Sequence, residues 1–196
     1  MTPLQEAANA LSMLCPSIAL AFLLPGKNAG TQFLLNTTLM HLPFSFFYHM
    51  GCCLSMIKDR QDCHLRRMDQ VMQCIISNLI MFALLPATNK PHAKLEVLKM
   101  ILASMSFACS SFSIQKIYKS KQESCWVPIA IGVFIYTLPI LIIHNSLNNF
   151  VLALASAFAG GLCFLYSGWG HCLFHVFMGV FAYAIGSTLL LQPSTS

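Results

Sequence analysis

The sequence predicts an all-α, multi-pass membrane helix bundle with seven transmembrane helices, folded as a single domain over residues 1–196. Three observations predict it. Apolar residues make up 57 % of the chain, where a typical soluble domain has about 45–50 %. Charged residues make up only 9 %, where about 25 % is usual, and that is too few to cover a soluble globule. Seven apolar runs can be drawn, and at about 20 residues each they consume roughly 140 residues. A second, water-soluble domain does not fit in what is left. A soluble enzyme, a disordered tail and nucleic-acid binding are excluded on the same grounds.

The first run covers residues 7–24 and stops at Pro25 and Gly26. The second covers 31–57, the third 68–85 before Pro86, and the fourth 95–117. The fifth covers 126–143, the sixth 150–166 and the seventh 170–191. Each should be a helix, because a segment in lipid must satisfy its backbone N–H and C=O groups internally. Barrel strands would alternate apolar and polar residues, and these runs do not. The N-terminus carries Glu6 and no basic residue before Lys27. The positive region of a cleavable leader is therefore missing, and the first run is expected to remain in the protein. The nine cysteines lie mostly inside apolar runs with no CxxC spacing, as buried thiols do.

Loop charges set the expected orientation. Lys58, Arg60, Arg66 and Arg67 follow the second run, and Lys116, Lys119 and Lys121 follow the fourth. The opposite side has Lys27, Lys90 and Lys94. Cytoplasmic loops collect Lys and Arg, so the N-terminus of this integral membrane protein is expected to be cytoplasmic.

Ionisable groups within spans are costly and are functional candidates by default. Few occur here: His41 and His49 in the second run, Asp69 at the head of the third, and His171 and His175 at the head of the seventh. With seven spans, the end of the second and the starts of the third and seventh lie at one membrane face. His49, Asp69, His171 and His175 are then at similar depth. His171 and His175 are four residues apart and share a helix face, a spacing that lets two imidazoles bind one metal ion. His49 supplies a third ligand. Three histidines with an open fourth position form the pattern of catalytic zinc, and zinc brings the pKa of water at that position to about 7. Ser45, one turn before His49, is placed to hydrogen-bond a ligand or substrate. Asp69 is placed to act as a general base or to orient a histidine. His41 continues the Ser45–His49 face and is read first as a packing residue and second as a substrate-cavity residue. His64, His92 and His144 fall in loops and are expected to be solvated.

The set Ser45-Phe46-Phe47-Tyr48-His49, then Asp69, then His171-Cys172-Leu173-Phe174-His175 resembles a known superfamily. It is similar to the seven-span group of alkaline ceramidases, progestin and adiponectin receptors, haemolysin III proteins, GPI-processing proteins and myomaker. The resemblance implies Zn2+ held by His49, His171 and His175, with Ser45 and Asp69 as catalytic groups or as supports of the ligands.

The expected function is an intramembrane zinc-dependent hydrolase. It would cut an amide or ester bond of a membrane lipid that enters the helix bundle laterally. The alternative is a non-catalytic membrane-remodelling or receptor-like protein with a structural zinc. Haem ligation by histidine pairs is a third reading, although the HxxxH spacing suits a small ion better than a macrocycle.

Overall fold

The computed structural model describes residues 1–23, 29–59, 63–85, 93–119, 126–166 and 168–191. Pro25, Gly26, Lys27, Arg60, Pro86, Lys90, His92 and Lys121, used above to place turns, charge bias and a loop histidine, lie outside the described residues. The described chain is all-α, with eight helices and no strand.

The first run folds as two helices rather than one. α1 spans Pro3–Ser12 and α2 spans Cys15–Ala21. Thr2 and Gln5 form a capping box at the start of α1, which satisfies two of its orphan N–H groups. The break follows from Pro16. It has no N–H to donate to the carbonyl of Ser12, and its ring crowds that carbonyl. Pro16 then opens α2, where a missing N–H costs nothing.

The remaining runs each form one helix. α3 is Ala29–Cys53, α4 is His64–Leu84, α5 is Ala93–Lys119, α6 is Trp126–Ile142, α7 is Leu147–Leu165 and α8 is Trp169–Leu190. By length and composition three of these can cross a membrane, α5, α7 and α8, fewer than the seven expected. The difference is physical. α1 and α2 are each too short. α3 carries Gln32, Asn36, Thr37, Thr38, His41, Ser45 and His49, and α4 carries Arg66, Arg67, Asp69, Gln70, Gln73 and Asn78. The apolar stretch in α6 is shorter, Ile129–Ile142.

α8 is the axis of the bundle and packs against α1, α2, α3, α6 and α7. Its C-terminal half builds the apolar core. Phe181, Ile185 and Leu189 meet Leu20 of α2, Leu34 of α3, Met81 and Leu84 of α4, and Tyr136 and Ile140 of α6. Its first two turns carry His171 and His175 instead, so the apolar core and the histidines occupy different levels of one helix.

The polar residues of α5 are matched by α4. Ser106 donates to Asn78 Oδ1 at 3.0 Å, and Ser110 donates to the Cys74 carbonyl at 3.2 Å. Such bonds hold helices together where water is absent. His144, expected to be solvated, is half-buried and donates from Nε2 to the Leu84 carbonyl at 2.9 Å. Burial pushes its pKa below the ordinary histidine value.

Gly168 joins α7 to α8 with φ +81°, a conformation that side chains rarely adopt. A Cβ there would also lie 2.8 Å from the Gln5 side chain. The glycine therefore lets α1 approach the start of α8. Further along α8, Gly179 gives α2 its seat: a Cβ would lie 3.2 Å from the Cys15 backbone. Gly179→Val should force α2 off α8 and destabilise the protein by about 1–3 kcal/mol, read as a lower melting temperature in detergent.

Candidate metal centre

α3 places His41, Ser45 and His49 on one face by their four-residue spacing. α8 does the same for His171 and His175. Because α3 and α8 pack together near these positions, the three histidines of the sequence pattern meet. Ring centroids are 4.8 Å apart for His49 and His171, 4.7 Å for His171 and His175, and 6.0 Å for His49 and His175. One nitrogen from each ring lies within 4.8 Å of the others. His49 and His175 are buried, and His171 is half-buried.

The Nδ1 atoms of His49 and His175 are held from α1. Glu6, only 2 % exposed, accepts from His49 Nδ1 at 2.8 Å. Ser12 Oγ lies 2.8 Å from His175 Nδ1 and donates to the Asn9 carbonyl at 2.9 Å. Glu6, Asn9 and Ser12 share a face because they are three residues apart. All three are buried, and Asn9 Oδ1 has no hydrogen-bond partner. His171 is set by aromatic packing, with the Phe164 ring 5.0 Å away and Phe174 at 5.9 Å.

Asp69, in the second turn of α4, is bound to His41 Nε2 at 2.6 Å. The carboxylate that contacts a ring of the cluster is thus Glu6, while Asp69 is held one step away by His41. His41, read as a packing residue, is a polar partner. Ser45 is buried between His41 and His49 on α3.

These residues fit a metal ion. Imidazole nitrogens suit zinc and its transition-metal neighbours, whereas magnesium and calcium need oxygen cages. Nitrogens sharing one tetrahedral ion sit roughly 3.3 Å apart, given bonds of about 2.0–2.1 Å. Small rotations of the side chains close the present spacing. Three protein ligands leave one position open, as in catalytic sites. Glu6 and Ser12 occupy the nitrogens that would otherwise compete, which is how ligand histidines are usually held.

No protein-family model matches the chain, and no curated protein or solved structure matches it significantly. The case for the site therefore stands on its geometry.

Glu6 and Ser12 are the functional residues that the sequence reading missed. Their signal was present: Glu6 just before the first apolar run, with Asn9 and Ser12 inside it at three-residue steps, marks one face of a helix. Metal analysis of detergent-purified protein should find about one transition-metal ion per chain. His175→Ala should lower that content to near zero.

Proposed function

We propose that this protein is an intramembrane zinc-dependent hydrolase acting on an amide or ester bond of a membrane lipid. It would belong with the seven-span zinc hydrolases and receptors that its motif resembles. The observation that carries this reading is the convergence of three histidine nitrogens, from α3 and α8, within 4.8 Å of one another in an apolar bundle.

In this reading seven segments cross the bilayer. α1 and α2 together make the first crossing. α3, α4 and α6 each make a further crossing. Glu6, in the first turn of α1, meets His49 near the end of α3, which supports placing the N-terminus and the histidines at one end. Lys58, Arg66, Arg67, Lys116 and Lys119 belong to that same end, which makes it cytoplasmic.

His49, His171 and His175 hold the ion. When bound, Zn2+ supplies a Lewis acid that polarises an acyl carbonyl and acidifies water. Asp69 accepts the proton released in hydrolysis and returns it to the leaving group. His41 fixes the Asp69 carboxylate for that role. Ser45 offers a hydroxyl to the carbonyl oxygen. His171 is the least buried of the three and lies beside Phe164, which is 51 % exposed. The lipid enters on this side, with its acyl chain against Phe164 and Phe174.

The test is fatty-acid release, measured by mass spectrometry, from lipid vesicles containing the zinc-loaded protein. Asp69→Asn should lower release by about 10²-fold or more while zinc content stays unchanged. Intact lipids after prolonged incubation of fully loaded protein would defeat the catalytic reading in favour of a structural zinc.

A further inference from the structure

We propose that α1 is part of the metal centre: Glu6 and Ser12 are positioning residues that fix the His49 and His175 rings with Nδ1 protonated, and so set the metal affinity. This rests on the metal-holding reading of the histidine cluster but not on any catalytic activity.

The argument is one of hydrogen-bond direction. A carboxylate has only acceptors, so in the 2.8 Å contact with Glu6 the proton sits on His49 Nδ1. The hydroxyl of Ser12 has one proton, which it gives to the Asn9 carbonyl at 2.9 Å. It can therefore only accept from His175, and that ring also carries its proton on Nδ1. In both rings the lone pair is left on Nε2, as a metal ligand requires. The two partners come from a single ten-residue helix. Glu6, Ser12, His49 and His175 are all buried.

The two contacts differ in kind. Glu6 also raises the basicity of its ring through charge, forming the carboxylate–histidine pair common around zinc. Ser12 passes its contact on to the backbone of its own helix. The seat of α1 is thus coupled to the cluster, and two of the three ligand rings are pre-set before any ion arrives. Pre-set rings lose less conformational freedom on binding, and affinity rises accordingly.

The experiment uses the full chain in detergent and zinc alone, titrated in competition with a chelator. Glu6→Ala and Ser12→Ala should each weaken zinc binding by about 10- to 100-fold. Glu6→Gln keeps an acceptor without the charge and should fall between Glu6→Ala and the unaltered protein. Ser12→Thr keeps the hydroxyl and should restore affinity. Ser187→Ala removes a serine bonded to its own helix, at 3.1 Å from the Ala184 carbonyl, and should leave affinity unchanged. Nitrogen NMR of the unloaded protein should show Nδ1-protonated signals for His49 and His175. The Nδ1 signal of His175 should weaken in Ser12→Ala. If Glu6→Ala fails to fold, the Ser12 pair still decides. Folded Ser12→Ala protein that binds zinc as tightly as the unaltered chain would overturn the proposal. Unaltered protein that binds no zinc would overturn the metal reading itself, and this inference with it.

Discussion

A histidine ring buried among apolar helices needs a role for both of its nitrogens. That constraint organises this protein. Leaving a polar group unpaired in an apolar interior costs a few kcal/mol. His49 and His175 meet the requirement on one side through α1, with Glu6 and Ser12 each at 2.8 Å. On the other side they face each other and His171, with one nitrogen from each within 4.8 Å. Three acceptors gathered in one place satisfy nothing among themselves, whereas one cation satisfies all three. A cluster of three buried or half-buried imidazoles in so apolar a bundle could hold a metal ion.

The same economy of polar contacts explains the helix arrangement. α8 divides its length between apolar packing at Phe181, Ile185 and Leu189 and the two ligand histidines. The apolar half anchors the helix against its neighbours, among them α2, α3 and α6. Asp69 and His41 form a second buried polar pair, and the serines of α5 bond to α4. Outward from α7 project Phe158, Phe164 and Leu165.

Much of this was legible in the sequence. Apolar runs located α3 to α8 within a few residues, because a helix in lipid must be continuous and apolar on its outer side. The HxxxH pair was legible because four residues return to the same helix face. His49 was placed beside that pair through the parity of connections, which rests on a count of seven spans. What stayed hidden depended on pairing across long separations. Glu6 lies 43 residues from His49, and Ser12 lies 163 residues from His175. A polar face on α1 predicts some partner without naming it. The His41–Asp69 pair was hidden for the same reason, since the packing of α3 on α4 decides which carboxylate meets which ring. The number of crossings was legible only in part. Seven apolar runs were visible, but three helices have the length and composition to span alone.

The interruption before Pro16 has a consequence for how the chain's first twenty residues divide their labour. A continuous rod would have one axis, and seating Cys15 against Gly179 would then dictate where Glu6 points. Severing the rod after Ser12 frees the leading piece to choose its own tilt. The trailing piece wedges into α8 by shape alone, and the leading piece aims a carboxylate and a hydroxyl. One proline thereby lets a single short stretch act both as a bolt and as a pointer.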